Sequence, residues 1–207
     1  MTFAFVRHGQ TDWNFAQRMQ GSSDIPLNAT GRKQALEAAR SLSSGINGRP
    51  WDIIVSSPLI RARETASLIA VGIGRDLGPA YPALTERDYG DAEGATQEEI
   101  SARWPQGTIP GLEPIESVIA RGTHALERLA RLYDGDNVLI VCHGTLIRHT
   151  LSALTGKDTG EIINGSIATL SSVEGGWSVH TVNDRPFLPK TEATDKAERT
   201  NLAAGMS

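Results

Sequence analysis

Three short apolar runs, far apart in the chain, each stop at a cluster of residues suited to a phosphate group. Phe3-Ala4-Phe5-Val6 leads into Arg7-His8-Gly9-Gln10-Thr11, and Ile53-Ile54-Val55 leads into Ser56-Ser57-Pro58-Leu59-Ile60-Arg61. Val138-Leu139-Ile140-Val141 leads into Cys142-His143-Gly144-Thr145. Apolar runs closed by Gly or Pro and followed by helical periodicity predict buried parallel strands. In an open α/β sheet, ligands bind beyond the carboxyl ends of such strands. Two histidines and two arginines are therefore expected at one sheet edge, forming an anion site with a nucleophile inside it. The expected fold is α/β: a three-layer sandwich with a mostly parallel central sheet, helices on both faces, and a small cap insertion over the carboxyl edge.

Periodicity places the helices between these runs. Asn28 caps a helix with an expected inward stripe of Ala35, Leu36, Ala39 and Leu42, ended by the turn residues from Gly45 to Pro50. Ser57 as N-cap and Pro58 at the first helical position predict a second helix, with Leu59, Ala62, Ala66 and Ile69 inward. Periodicity is lost from Gly72 to Gly94, after which Thr96 and Glu99 form a capping box for a short helix ending near Trp104. A longer helix follows with Ile115, Ile119, Leu126, Leu129 and Leu132 inward, and another carries Leu146, Ile147, Thr150, Leu151 and Leu154 and closes at Gly156. Ile167–Ser171 and Trp177–Val182, joined around Gly175-Gly176, predict a hairpin or edge pair. Residues 1–185 are expected to form one domain with a cap insertion at about 81–116, and the polar, patternless stretch 186–207 a mobile tail.

The bulk numbers narrow the classes of partner. A hydrophobic fraction of 39% and a charged fraction of 21% are ordinary for a globular chain of 207 residues, and a net charge of −4 argues against nucleic acid or an anionic membrane. Gathering Arg7, Arg61 and Arg87 in one pocket of an acidic protein would focus positive potential on a small anionic substrate, so a small phosphorylated metabolite is the expected partner. One cysteine excludes an internal disulfide framework and fits a reducing cytoplasm. The N-terminal run lacks a basic leader and is broken by Arg7, and no apolar stretch approaches the ~20 residues of a membrane span. Monomer and homodimer are both open, because an edge strand at Trp177–Val182 could pair between subunits or stay capped.

Phosphoryl transfer needs positioning, charge neutralisation and a nucleophile. His8 is the candidate nucleophile: a neutral imidazole attacks phosphorus when one nitrogen is held as N–H and the other presents its lone pair. Arg7 and Arg61 supply forked donors for phosphate oxygens, Arg61 in the first turn of a helix where the dipole also favours an anion. His143 would donate to the same oxygens, best as the cation, and Asn14 is a further donor. An alkoxide leaving group needs a general acid. Glu86 is the candidate, with Asp88, Asp91, Glu93 and Glu116 competing on spacing alone.

The stretch from Arg7-His8-Gly9 through Gln10-Thr11-Asp12-Trp13-Asn14 resembles the signature of the histidine phosphatase superfamily, also called phosphoglycerate mutase-like. The resemblance continues through Pro26-Leu27-Asn28, Gly31 and Gln34-Ala35, then Ser56 to Ala62 with Thr65-Ala66, then Glu86-Arg87 to Gly90 with Glu93-Gly94, and Val141-Cys142-His143-Gly144. It spans positions 3 to 170 in the expected order. It implies that His8 becomes phosphorylated, that Arg7, Arg61 and His143 complete the phosphate pocket with help from Asn14, and that Glu86 is the acid that later activates water. It also implies substrate contacts from Gln20, Gly21, Arg87, Tyr89 and Gly144, and neither metal nor organic cofactor. Mutases of the family carry a longer insertion with a lysine and adjacent arginines gripping a carboxylate. This chain has no lysine between Lys33 and Lys157, and Gly94 to Pro114 offers only Arg103. Its short Pro110–Ser117 segment is similar to that of the small phosphatases, so hydrolysis is the expected reaction and mutase activity the alternative. A phosphoprotein substrate is a further possibility.

Three other readings compete. Cys142 to Arg148 satisfies the C-x5-R spacing of cysteine phosphatases, but the helical pattern starting at Gly144 leaves no open phosphate cradle. Cys142, His143 and His149 could suggest a metal site, although His149 lies more than a turn along the helix. A non-catalytic phosphate-binding module would be expected to lack the nucleophile or the acid, and this chain has candidates for both. Trp13, Tyr89 and Trp104 are possible pocket walls.

Overall fold

The computed structural model describes residues 1–187, so the expectation of a mobile tail falls, from residue 188 on, outside the described residues. Six strands form one sheet in the order β2-β3-β1-β4-β5-β6. They are β1 (Thr2–Arg7), β2 (Ile53–Ser56), β3 (Val138–Cys142), β4 (Ile167–Val173), β5 (Gly176–Val182) and β6 (Arg185–Pro186). The first three strands run parallel, with Arg7 opposite Cys142 and Ser56 opposite Val141. β4, β5 and β6 alternate in direction, so four of the six strands point the same way and the sheet is mixed but mostly parallel. Trp177–Val182 is not a bare edge, because β6 pairs with its last residues.

The parallel strands β1, β2 and β3 are mainly apolar because both faces of the sheet are covered there, whereas β4, β5 and β6 carry polar and exposed positions. On β1, Phe3 and Phe5 enter one core and Ala4 and Val6 the other. On β3, Val138, Ile140 and Cys142 are divided from Leu139 and Val141 in the same way. One face is closed by α5 (Ile115–Leu132) and α6 (Gly144–Thr155), through Val118, Leu126, Leu129, Leu146, Ile147 and Leu151. The other is closed by α2 (Ala29–Leu42) and α3 (Ile60–Ile73), α1 being the single turn Asp12–Phe15. The layers match the expected sandwich, but two stripes are rotated. On α2, Ala38 is buried and Leu36 is exposed. On α5, Val118 and Ala125 are buried while Leu132 is exposed. Small side chains explain α2, since its alanines let α3 approach until a Cβ at Gly72 would fall 2.6 Å from that of Ala39.

Helix starts decide where the site residues point. Asn28 caps α2 by accepting from the Gly31 amide, and Thr96 and Glu99 form both halves of the expected capping box on α4 (Gln97–Arg103). The start of α3 departs from expectation. Ser57 and Pro58 lie outside the helix, Leu59 is the N-cap with no side-chain cap bond, and Ser57 Oγ accepts instead from the Leu59 amide at 3.3 Å. The cap comes from elsewhere: Asp24 Oδ1 accepts from the Ile60 amide at 2.6 Å. Removing an N-cap carboxylate costs about 1 kcal/mol. Asp24→Ala should therefore lower the thermal midpoint by about 2–4 °C, and Asp24→Asn should recover most of the loss. An unchanged melting curve for the alanine variant would show that this bond does not hold the helix start.

Candidate active site

Arg7, Arg61 and His143 meet His8 where β1, β2 and β3 end. The His8 amide donates to the Cys142 carbonyl at 3.0 Å, which carries the ladder one residue past β1 and fixes the backbone beneath the imidazole. The next residue must be glycine, since a Cβ at Gly9 would lie 2.2 Å from the Gly31 carbonyl oxygen. The Gly9 amide donates to Thr65 Oγ1 at 3.1 Å, and that hydroxyl donates to the Arg61 carbonyl at 2.7 Å, so the His8 loop and α3 are stitched together. His8 Nδ1 lies 2.7 Å from the Gly9 carbonyl. A carbonyl only accepts, so Nδ1 carries the proton and Nε2 presents its lone pair.

The basic residues are held by backbone rather than by carboxylates. Arg61 is fully buried, its Nη1 donating to the Ser23 carbonyl and its Nη2 to the Gly21 carbonyl, each at 2.8 Å. Gly21 has φ +52°, the left-handed region open to glycine, and its loop is latched by Glu93, which accepts from the Ser22 amide at 2.6 Å and the Ser23 amide at 2.9 Å. Glu93, a competitor for the acid on spacing alone, is thus engaged in holding that loop. Arg7 Nη1 donates to the Ile162 carbonyl. The His143 ring lies 5.1 Å from that of His8, centroid to centroid.

Among the described residues, six buried side-chain nitrogen or oxygen atoms have no hydrogen-bond partner, and four belong to this cluster: Arg7 Nε, Arg61 Nε and both ring nitrogens of His143. Buried polar groups without partners are costly and rare, and their concentration around one imidazole marks a place for an anion. Burial, and then the charge of Arg61, push the pKa of both His8 and His143 well below the usual histidine value. That direction holds for the site without an anion, whereas the expectation of a cationic His143 concerns the pocket with phosphate bound. In the empty cup two guanidinium groups already supply the positive charge, and a third buried cation would repel them. Neutral His143 still has one N–H to offer.

Glu86 approaches from the cap side. Its carboxylate accepts from the Arg87 amide at 2.8 Å, the Thr145 amide at 3.2 Å and the Leu146 amide at 3.3 Å. It thereby caps α6, whose N-cap His143 makes no side-chain cap bond of its own. A cavity of about 430 Å³ opens between these groups, with Arg7, His8, Arg61, Glu86, Arg87 and Tyr89 in its wall. Asn14, Gln20, Gly21 and Gly144 also line it, with His143 buried against His8, whereas the competing acids Asp88, Asp91, Glu93 and Glu116 do not. Asn14 Oδ1 is taken by Thr11 and Asn164, and Gln20 Oε1 by Thr11 Oγ1, which leaves the amide nitrogens for a ligand. Tyr89 donates or accepts through its hydroxyl at 2.7 Å from Thr145 Oγ1, and burial followed by the Glu86 charge pushes its pKa up to about 12. Gly144 is a close approach: a Cβ there would meet Arg7 Nε at 3.1 Å.

Sequence reasoning missed Arg18, Thr145, Arg148, His149 and Glu161, which also line the cavity. The signal for two of them was present, since Arg148 and His149 lie one turn beyond Gly144 on the helix that starts at the site. Of the possible walls, Tyr89 lines this cavity, Trp13 packs against Gly94, and Trp104 lines a neighbouring cavity of about 440 Å³ that shares Met19, Arg87 and Tyr89 with the first. The cysteine reading is disfavoured, because Cys142 is fully buried and burial pushes its pKa up. No cluster of three or more His, Cys, Asp or Glu able to hold a metal ion occurs among the described residues. No helix there is long and apolar enough to cross a membrane.

The family model for the histidine phosphatase superfamily (branch 1) matches residues 3–185. An uncharacterized phosphatase, PhoE, of Bacillus subtilis (strain 168) is 37% identical over 88% of this chain and 94% of its own. A 2,3-bisphosphoglycerate-dependent phosphoglycerate mutase of Methylobacterium sp. (strain 4-46) is 34% identical over 76% of this chain and 82% of its own. The structure of a mycobacterial glucosyl-3-phosphoglycerate phosphatase in complex with VO3 superposes with a TM-score of 0.79 at 30% identity, covering 88% of this chain and 98% of that one. The chain belongs to the histidine phosphatase superfamily, branch 1.

Proposed function

We propose that the protein hydrolyses phosphomonoesters of small metabolites, without a metal, through a phosphohistidine at His8. The observation that carries this reading is the ring of unpartnered buried donors around an imidazole whose Nδ1 is already committed to the Gly9 carbonyl. A phosphoryl group seated there would satisfy Arg7 Nε, Arg61 Nε and His143 together while its phosphorus faces Nε2. Nε2 attacks, the bond from phosphorus to the leaving oxygen breaks, and protonated Glu86 passes its proton to that oxygen. In the second step Glu86 as carboxylate takes a proton from water. The hydroxide so formed displaces His8 from phosphorus, releasing inorganic phosphate and the neutral imidazole.

Hydrolysis is favoured over mutase chemistry because the cap contributes no lysine and only Arg103 in its 94–114 segment. The mutase reading is supported by other cations in the cavity wall, Arg18, Arg87 and Arg148. Arg148, however, is spent on Asp158, with two bonds at 2.9 and 2.7 Å, and Arg18 pairs with Glu99. The reading also places the enzyme in the cytoplasm, acting on a soluble ester. Quenching the protein in alkaline detergent during turnover of a 32P-labelled phosphomonoester should trap an alkali-stable phosphoenzyme that loses its label on later acidification, and incubation with 3-phosphoglycerate should release phosphate rather than its isomer. Turnover without a trappable phosphoenzyme would remove the covalent step. Isomer formation without phosphate release would establish the mutase.

A further inference from the structure

Arg121 does not line the cavity, yet it is bonded to the loop that brings Glu86 there. It projects from α5, and its guanidinium uses all five of its N–H donors. Nε donates to Glu113 Oε1 at 2.8 Å and Nη2 to Glu113 Oε2 at 3.0 Å. Nη1 donates to the carbonyls of Ala83 and Thr85 at 3.1 and 2.6 Å, and Nη2 to the Glu86 carbonyl at 2.9 Å. Both members of the ion pair are largely shielded, with side-chain exposures of 20% and 16%. Glu113 extends the clamp. Its Oε2 accepts from the Asp88 amide at 3.2 Å, its amide donates to the Asp88 carbonyl at 2.8 Å, and its carbonyl accepts from Arg87 Nε at 2.7 Å.

The stretch 83–88 contains no α-helix or strand, and nothing in its own periodicity fixes its path. Its backbone carbonyls are instead drawn onto one planar fork, which a lysine ammonium cannot reproduce because it is a single point of charge with three donors. Above that fork the Glu86 carboxylate meets the N-terminus of α6. α5 and α6 pack side by side in one core, so the clamp fixes Glu86 relative to the helix that follows His143.

We propose that Arg121, with Glu113, is the positioning residue for the general acid: it fixes the main chain of 83–88 so that the Glu86 carboxyl reaches the leaving oxygen. The proposal rests on the role given to Glu86 above, and its test separates the two. In that role a protonated Glu86 matters most for an alkoxide, and little for a phenolate that departs unprotonated. kcat/KM, which reports steps through the first bond cleavage, should be measured for glycerol 2-phosphate and for 4-nitrophenyl phosphate in Arg121→Met, Arg121→Lys, Glu86→Gln and Arg121→Met/Glu86→Gln.

Arg121→Met should lose about 10–100-fold on the glycerol ester and less than about 3-fold on the nitrophenyl ester, since general acid catalysis contributes 10²–10⁴-fold. Arg121→Lys should fall between Arg121→Met and the wild type. On the Glu86→Gln background the same substitution should cost nothing further. Equal losses on both esters, no loss on either, or losses that multiply in the double variant would overturn the proposal. Should Arg121→Met fail to fold, Arg121→Lys carries the same comparison, and a ratio between the two esters equal to that of the wild type overturns it. If the wild type cleaves neither ester, the function and the clamp fall together. If it cleaves both, and only Glu86→Gln loses activity selectively on the glycerol ester, only the clamp falls.

Discussion

His8→Ala should abolish phosphomonoester turnover, with kcat reduced on the order of 10⁴-fold or more, as when the nucleophile of a covalent mechanism is deleted. The substitution removes a neutral ring, so both guanidinium groups and His143 remain to bind an anion. Thermal stabilisation by inorganic phosphate or vanadate should therefore persist in a variant that neither releases phosphate nor becomes labelled. That pairing, binding kept and chemistry lost, separates a missing nucleophile from a collapsed pocket. Cys142→Ala supplies the contrast: its thiol is fully buried and held protonated by that burial, so the variant should keep its activity. A His8→Ala protein that still turned over most of its substrate, beside an inactive Cys142→Ala, would move the nucleophile to the thiol.

The parts of this site that could be read from the sequence are those whose position follows from a strand end. Arg7, His8 and His143 lie at the carboxyl ends of β1 and β3, and those strands announce themselves because both of their faces are buried. Arg61 is legible for the same reason, in the first turn of the helix after β2. What escaped reading depends on bonds between segments distant in sequence. α3 starts later than its own Ser57-Pro58 suggests because the cap, Asp24, lies 36 positions upstream. Glu86 could not be chosen over Asp88 or Glu93 by spacing, since its partners are the Thr145 and Leu146 amides, 59 and 60 positions away. Arg121 sits on an amphipathic helix where an arginine ordinarily reads as solvated surface, and its five acceptors become visible only once the loop is in place. The α2 stripe was misread for a different reason. Alanines that permit close helix packing contribute little hydrophobic signal, and Leu36, which contributes more, faces out.

Acid should destabilise the unliganded protein from a higher pH than carboxylate chemistry alone would allow. Folded, His8 and His143 are neutral, their pKa values driven well below 6.5 by burial and then by the neighbouring arginines. Unfolded, each returns to about 6.5 and binds a proton below it. Between the unfolded and folded values the unfolded state therefore holds more protons, and stability falls as pH falls. The slope reaches about 1.4 kcal/mol per pH unit for each histidine, or about 2.7 for the pair. Above 6.5 the pair contributes no pH dependence. His149, shifted the same way by burial and Arg148 but only partly buried, adds in the same sense. Glu113, pushed up by burial but held below the usual carboxylate range by its bonds to Arg121 and the Asp88 amide, loses its contribution only at lower pH, and Asp184, pushed up by burial, acts in the opposite sense, so a net fall in stability between about 6.5 and 5 is the mark of the histidines. Denaturant titrations across that interval should show the slope, and His143→Gln should remove about half of it. Saturating phosphate should flatten it as well, because a dianion in the cup favours the protonated ring that the empty cup rejects. A stability profile flat from pH 7 to 5, or one that His143→Gln leaves unchanged, would mean that these rings are not held neutral. The same coupling bears on turnover: if His143 gains its proton only when the phosphoryl group arrives, its positive charge is present for the transition state and absent from the empty site, where it would only oppose folding.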